Sequence, residues 1–173
     1  LKIIQLNGKI NLGPFEIDFI TLTHSILEPN GLCITTPSGS ILHTGDWKID
    51  PNPLIGNNID KQKLMEIGKK GVLAMICDST NVFSEGRAGS ESDVRESLLK
   101  IMSLKSKRII VTSFASNVAR METIFYCAEK INRQVCLVGR SMNRIFKAAK
   151  QCGYLHNITN PIDPRAVSYT HLR

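Results

Sequence analysis

The chain has 173 residues, of which 42% are hydrophobic and 21% are charged. This length and apolar content suffice for one ordinary domain or parts of two, and they exclude a chain that is disordered over most of its length. The 22 Lys and Arg against 15 Asp and Glu give a net charge of +7. That charge is compatible with a polyanionic partner such as RNA, but charge alone does not establish one.

Targeting and membrane segments are not apparent in the sequence. No stretch has the pattern of a secretory signal, and no apolar run approaches the ~20 residues that a membrane span requires. We therefore expect a soluble, cytoplasmic protein. The chain starts at Leu1 and enters directly into what reads as mid-domain sequence, so we expect this N-terminus to be a truncation.

The cysteines are odd in number, scattered along the chain, and form no C-x-x-C pair. Lone cysteines inside apolar runs usually behave as small buried hydrophobic residues. The sequence therefore predicts buried free thiols at Cys33, Cys77, Cys127, Cys136 and Cys152.

Short β-rich runs dominate the first part of the chain, at residues 15–22, 31–36 and 40–46. They are separated by Pro, Asn, Gly and Ser, which predicts neighbouring strands with polar side chains at their ends. Residues 51–60 have the composition of a loop, and the following run KQKLMEIGKKG predicts a short helix that stops at a glycine.

From Gly71 onward, apolar runs alternate with amphipathic stretches. The runs GVLAMICD, RIIVTSF and QVCLVG predict strands, and residues 91–104, 117–131 and 142–151 predict helices. Such alternation is typical of parallel βαβ units. Ser90 and Asp93 have the spacing of a capping box at the first of these helices.

The last stretch, residues 163–173 (DPRAVSYTHLR), does not continue the alternation. It has no apolar periodicity of either helix or strand type. We interpret it as a non-native tail, so His171 is not expected to belong to the fold or to a functional site.

Two strand ends carry side chains that could bind a metal. His24 lies in T-H-S-I just after the first run, and Asp46 lies in H-T-G-D-W-K at the end of the third. Zinc accepts both imidazole and carboxylate ligands. Taken alone, one His and one Asp in separate motifs are a weak signal, since polar residues at strand ends more often satisfy local hydrogen bonds.

A second candidate site is the start of the helix predicted at 117–131. The strand RIIVTSF leads into it, so Ser116, Asn117 and Val118 fall at a helix N-terminus at the carboxyl end of a parallel strand. Unpaired backbone N–H groups and the helix dipole make such a place favourable for anions. The alternative is that Ser116 only caps the helix.

Five segments, in order and spacing, resemble the ribonuclease J family, in the β-CASP group of metallo-β-lactamase hydrolases. The likeness covers about residues 1–160 and does not depend on one motif. The segments are FITLTHSILEPNG, GSILHTGDWKIDPNPL, GVLAMICDSTNVFSEG, VTSFASNVARMETI and VGRSMNRI.

This resemblance implies an α/β fold made of two parts. Residues 1–78 would be the C-terminal portion of a metallo-β-lactamase αββα sandwich, and residues 79–162 the start of a β-CASP parallel α/β domain. The family's H-x-H-x-D-H loop and its later β-CASP histidines are not in this sequence. We therefore expect most zinc ligands to lie outside it, and the fragment itself to be inactive.

The resemblance also assigns roles to single residues. His24 falls on a zinc ligand, Asp46 on the carboxylate that bridges two zinc ions, and Asp78 of D-S-T-N on the first β-CASP signature. Asp46 and Asp78 are thus the catalytic candidates, with Asp78 orienting a histidine elsewhere in the protein. The alternative for Asp78 is a helix or turn cap. Leu27 stands where the family is expected to carry proline, which affects only the local geometry around His24.

The implied function is that of a zinc-dependent ribonuclease, with 5′-to-3′ exonuclease and endonuclease activity in RNA decay and maturation. Ser116, Asn117 and Val118 would contact 5′-monophosphorylated RNA, and the complete protein would be a cytoplasmic homodimer or homotetramer. Two alternatives remain open. One is another β-CASP metallo-hydrolase of nucleic acid, and the other is a non-catalytic α/β module that binds nucleotides.

Overall fold

The computed structural model describes residues 2–167. They fall into two compact units, Leu1–Ser90 and Glu91–Arg173. Residues 79–90 thus group with the first unit rather than the second. The assignment of residues 1–78 and 79–162 to the two named domains stays a prediction.

The first unit is built on a five-stranded sheet and a helix. The elements in chain order are β1 (Lys9–Leu12), β2 (Phe15–Thr21), β3 (Asn30–Thr36), β4 (Gly39–His43), α1 (Lys61–Lys70) and β5 (Ala74–Ile76). The strand order in the sheet is β1-β2-β3-β4-β5. Neighbouring strands from β1 to β4 are antiparallel, whereas β5 is parallel to β4. The helix α1 connects β4 to β5 along the chain.

Side-chain alternation along β2 and β3 builds the core of this unit. Ile20 and Cys33 lie in the same buried cluster as Leu22 and Ile59, and Leu64 and Ile67 of α1 pack against it. Residues three apart on a helix share a face, so α1 covers the cluster with one side. Its N-cap is Asp60, whose side chain accepts a hydrogen bond from the Lys63 amide at 2.9 Å.

The strands and the helix predicted for this part of the chain are confirmed, with ends shifted by a few residues. The αββα sandwich is not: the described residues of the unit contain one sheet and one helix. β1 was not predicted, because its run KINL is only four residues long; most of these residues are exposed. The sandwich stays a prediction drawn from the family resemblance.

The second unit is mainly helical. Its elements are α2 (Glu91–Ser103), α3 (Val118–Lys130), α4 (Arg140–Gln151) and a 3-10 turn (Pro164–Ala166). Phe125 of α3 and Phe146 of α4 stack with ring centroids 5.5 Å apart. Cys127 and Thr123 of α3 are fully buried. The three helices predicted here are confirmed within three residues at each end.

Two predicted strands in this unit are wrong for the described residues. RIIVTSF forms no strand, and QVCLVG contributes only one parallel bridge, between Cys136 and Ile162. A strand exists only where a neighbour satisfies its backbone groups, and no described strand pairs with residues 108–114. Ile110 and Phe114 are accordingly 80% and 85% exposed.

The cysteines differ from the prediction in part. All five are free, as expected, but only Cys33 and Cys127 are buried. Cys136 is half-buried, whereas Cys77 and Cys152 are exposed. Cys77 follows a strand at the sheet edge and Cys152 follows a helix end, where an apolar run no longer implies burial. Among the described residues, no helix is long and apolar enough to span a membrane.

Candidate functional site

The ends of three strands meet at one edge of the sheet. β2 and β4 are each antiparallel to β3 and so run in the same direction, and β5 is parallel to β4. Their carboxyl ends therefore share an edge, and His24, Asp46 and Asp78 follow β2, β4 and β5 respectively. The three motifs, which are separated in the sequence, therefore lie on three loops at the same edge of the sheet.

Thr23 joins the first two of these loops. Its carbonyl accepts a hydrogen bond from the Lys48 amide at 2.9 Å. Its hydroxyl donates to the Lys48 carbonyl and accepts from the Asp50 amide at 3.0 Å. Thr23 is only 3% exposed, so this pairing is shielded from water. It holds the chain just after Asp46 against the residue just before His24.

Thr44 joins the second loop to the third. Its amide donates to the Ile76 carbonyl at 3.0 Å, which extends the pairing of β4 with β5. Its hydroxyl donates to the Gly45 carbonyl at 2.8 Å and accepts from the Asp78 amide at 3.3 Å. The loops that carry Asp46 and Asp78 are therefore fixed to each other at a residue that is 4% exposed.

His43 has a local role that the sequence did not indicate. Its ring is exposed rather than packed, and Nδ1 accepts a hydrogen bond from the Gly45 amide at 3.1 Å. Gly45 has φ +61°, a left-handed conformation that glycine adopts without steric cost. His43 and Gly45 together shape the turn that presents Asp46.

The buried carboxylate of Asp50 stabilises the loop that carries Asp46. Asp50 is 2% exposed, and its Oδ1 accepts from the Asn52 amide at 2.9 Å. The Ser90 hydroxyl lies 2.6 Å from the same oxygen, and Lys48 Nζ lies 3.5 Å from Oδ2. The sequence did not indicate a role for Asp50, because the composition of its loop gives no sign that this carboxylate is buried. The one feature of the sequence that could have drawn attention to Asp50 is its place at the end of the run T-G-D-W-K-I-D, which also contains Asp46.

Asp78 is exposed and closes its own turn. Its Oδ1 accepts from the Thr80 amide at 2.9 Å and from the Thr80 hydroxyl. These hydrogen bonds lower the pKa of the Asp78 carboxyl, and the nearby His24 ring contributes in the same direction. Asp78 therefore makes the contacts of a turn cap, which was the alternative to a catalytic role. It also interacts electrostatically with His24.

The residues at this edge suit a metal in type but not in number. His24 is half-buried, with Nδ1 3.3 Å from the Ser25 hydroxyl, and Asp46 is exposed. Imidazole and carboxylate are both zinc ligands, and a catalytic zinc takes three ligands from protein. Within residues 2–167, no group of three or more His, Cys, Asp and Glu side chains is placed to hold a metal ion. The described residues alone do not make a complete metal site.

The predicted anion site at α3 is organised by its cap. Asn117, not Ser116, is the N-cap, and its Oδ1 accepts from the Arg120 amide at 2.8 Å. The amides of Asn117 and Val118 donate to the Phe114 and Ser116 carbonyls at 3.0 and 2.9 Å. Val118 is 2% exposed, whereas Ser116 is exposed. Ser116 is thus the member of the trio whose side chain is open to a ligand.

Arg120 does not extend this anion site. Its Nε and one terminal nitrogen each lie 3.2 Å from a carboxylate oxygen of Glu91. Glu91 is only 7% exposed. A two-point arginine–carboxylate contact at a largely buried acid is a structural ion pair, and it ties the start of α2 to the start of α3.

A family model connects the second unit with known proteins. The model described as "Ribonuclease J, beta-CASP domain" matches residues 106–171. The match includes the F-A-S-N segment and the G-R-S segment. It also runs through residues 163–171, most of the stretch interpreted as a tail, and His171 lies outside the described residues.

Curated relatives extend this likeness to the first unit. The chain is 41% identical over 158 residues to a ribonuclease J of Sinorhizobium meliloti, covering 91% of this chain and 28% of that protein. It is 42% identical over 156 residues to one of Corynebacterium glutamicum, covering 89% and 22%. With one of Thermus thermophilus the identity is 38%, covering 90% and 27%. The chain thus spans about a quarter of the length of these relatives.

A solved structure resembles the fold. A crystal structure titled as a protein of unknown function from Enterococcus faecalis V583 superimposes with a TM-score of 0.62. The superposition covers 95% of this chain and 41% of that one, at 17% sequence identity. At this identity the likeness concerns the fold alone.

Proposed function

Because this chain belongs to the ribonuclease J family, we propose that the protein carrying it is a metal-dependent ribonuclease of the β-CASP group. The observation that supports this most directly is the sheet edge where the loops after β2, β4 and β5 meet. Thr23 and Thr44 fix those loops to one another through buried hydrogen bonds. Such bracing is what a catalytic site needs in order to hold its groups in place.

In this proposal the metal is zinc, and two side chains of the chain bind it. His24 offers a neutral imidazole as a terminal ligand. Asp46, an anionic oxygen donor, is suited to bridge two ions, since it offsets their mutual repulsion. Further ligands must come from outside the described residues, because two donors do not complete even one catalytic zinc. When bound, the zinc pair would supply Lewis-acid catalysis for phosphodiester hydrolysis.

Asp78 has a separate role in the proposed mechanism. The Thr80 hydrogen bonds lower the pKa of its carboxyl, so Asp78 stays ionised at neutral pH. An ionised carboxylate accepts a hydrogen bond from an imidazole N–H and thereby orients the ring. Asp78 would hold a histidine from another part of the protein in position to protonate the leaving oxygen.

Recognition of the RNA 5′ end is proposed for the turn before α3. The Ser116 hydroxyl is open to solvent, while Asn117 and Val118 fix the turn that presents it. A 5′-monophosphate accepts hydrogen bonds from hydroxyl donors, and the N-terminal dipole of α3 favours its charge. Cytoplasmic location and a homodimeric or homotetrameric assembly are part of the same proposal, by analogy with the family.

The test is RNA cleavage by the purified protein that carries this chain. A single-stranded RNA with a 5′-monophosphate should be degraded, degradation should stop on chelation, and added Zn²⁺ should restore it. The same strand made of DNA should be degraded far more slowly. Binding of RNA without cleavage at any metal concentration would support the non-catalytic nucleotide-binding module instead. Faster cleavage of the DNA strand would support a different β-CASP hydrolase.

A further inference from the structure

The outer face of α4 carries an uncompensated positive charge. Arg140, Arg144 and Lys147 are exposed, and none of their side chains makes a hydrogen bond or ion pair with another residue in the range 2–167. The helix, RSMNRIFKAAKQ, contains no acidic residue. Lys150 differs from the other three, because its ammonium contacts the Ile158 carbonyl at 3.1 Å and the Asn160 side chain at 2.9 Å.

This arrangement is electrostatically unfavourable in the isolated unit. Arg140 and Arg144 are four residues apart, and Arg144 and Lys147 are three apart, so like charges are neighbours on one helix face. Arg140 also lies in the first turn, where the helix dipole disfavours a cation. Unfavourable local charge arrangements of this kind often occur at functional sites. An anionic partner would remove the conflict.

The same three side chains line an open cavity of about 600 Å³. Leu137, Val138, Gly139, Asn143 and Pro164 complete its wall. The side-chain amide of Asn143 donates to the Gly139 carbonyl at 2.9 Å and to the Leu137 carbonyl at 3.2 Å. These hydrogen bonds fix the turn that leads into α4. Near Pro164, the Asp163 carboxylate is paired with Arg165 at 2.8 Å and so does not neutralise the cavity.

We propose that Arg140, Arg144 and Lys147 form a docking surface for the phosphodiester backbone of single-stranded RNA, an inference that rests on the proposed ribonuclease function. The three positions extend over roughly 10 Å along the helix axis, at 1.5 Å per residue. Cations spread over that distance match a chain of regularly spaced phosphates better than one compact anion.

A membrane surface fits this face less well. Helices that bind membranes insert a large apolar face beneath a basic one. The apolar side of α4 is already used in the core of the unit, where Phe146 is 5% and Ala149 is 1% exposed. The surface therefore offers charge for a polyanion and little apolar area for insertion.

The experiment measures the binding of a fluorescein-labelled 20-nucleotide oligo(U) in EDTA by the protein that carries this chain. The variant is Arg140→Gln, Arg144→Gln and Lys147→Gln together. The control is Lys61→Gln, Lys69→Gln and Lys70→Gln, which removes the same charge from exposed positions of α1. Thermal melting checks that both variants keep the parent's fold.

Loss of three phosphate contacts should reduce the slope of log K against log salt by about 2, at about 0.7 per contact for a single strand. If the variant and the parent bind equally at 1 M salt, this change of slope makes the variant bind RNA about 50-fold more weakly than the parent at 0.15 M salt. The α1 control should keep the parent's slope. The proposal is overturned if both variants lose affinity equally, if neither does, or if the α4 variant loses binding to phosphatidylserine vesicles while it keeps RNA binding.

RNA cleavage by the parent, measured in parallel, separates this inference from the proposed function. Cleavage by the parent together with parent-like RNA binding by the α4 variant would refute the docking surface and leave the ribonuclease function standing. Absence of cleavage, with a loss of RNA binding confined to the α4 variant, would support the docking surface and count against the ribonuclease function.

Discussion

Two threonines at the end of β2 give a matched test of how the candidate site is held together. Thr21 and Thr23 are both buried, at 4% and 3% exposed. The Thr23 hydroxyl bridges the Lys48 carbonyl and the Asp50 amide. The Thr21 hydroxyl has no hydrogen-bond partner within the described part of the chain. Replacement by valine removes each hydroxyl at nearly constant volume.

Thr23→Val should destabilise the chain by about 3 kcal/mol, since it leaves a buried amide and a shielded carbonyl unpaired at about 1–3 kcal/mol each. Thr21→Val should instead be neutral or stabilise by up to about 1 kcal/mol, because it removes a buried hydroxyl that lacks a partner. The two variants should therefore differ by at least about 3 kcal/mol in the free energy of unfolding.

Urea unfolding followed by fluorescence measures this difference. Trp47 is the single tryptophan of the sequence and packs against the core of the first unit. Its emission therefore reports on unfolding around the Asp46 loop. Equal free energies for the two variants, or a Thr23→Val effect below about 0.5 kcal/mol, would show that the Thr23 bridge does not hold the loops together.

Three further predictions concern the proposed residues around the site. Asn117→Ala should destabilise the second unit by about 1 kcal/mol in a thermal or urea melt, while Asn117→Asp should retain the cap. Ser116→Leu should reduce the preference for 5′-monophosphate over 5′-hydroxyl RNA in cleavage assays at unchanged metal content; an equal loss on both RNAs would indicate a folding defect. The lowered pKa of Asp78 means that the stabilisation from its ionised form is present above the ordinary carboxyl pKa and is lost as pH falls through the lowered value. Thr80→Val should raise that pKa, as followed by NMR titration of the Asp78 carboxyl, and an unchanged titration would show that the Thr80 hydroxyl is not a cause.

Local patterns accounted for much of the fold. The apolar stripes and caps of α2, α3 and α4 are properties of short stretches, and so the sequence predicts them well. The segments 108–114 and 134–139 have equally clear apolar character, yet they form no strands in the described residues. A helix satisfies its own backbone, whereas a strand depends on a neighbour that may be far away in sequence.

The candidate site shows the same division between local and distant information. The strand-end positions of His24 and Asp46 follow from their motifs and from the order of the strands. The bracing residues Thr23, Thr44 and Asp50 could not be predicted, because each makes a hydrogen bond to a residue 25 to 40 positions away, such as Thr23 to Lys48 and Asp50 to Ser90. Only the folded chain identifies those partners.

Asp46 is the residue on which the proposed ribonuclease function depends most. Its side chain is exposed, so Asp46→Ala should leave the free energy of unfolding close to that of the parent. As the proposed bridging ligand, its loss should lower RNA cleavage on the order of a thousandfold or more, equivalent to about 4 kcal/mol in the barrier. Glu66→Ala, at an exposed carboxylate of α1, is the matched control.

The decisive measurement is zinc stoichiometry and RNA cleavage, determined together on the parent, Asp46→Ala and Glu66→Ala forms of the protein that carries this chain. Asp46→Ala should lose both bound zinc and cleavage, while Glu66→Ala should match the parent in both. If Asp46→Ala keeps the parent's zinc content and cleaves RNA at nearly the parent's rate, Asp46 only stabilises a turn, and the assignment of this sheet edge as the active site is wrong.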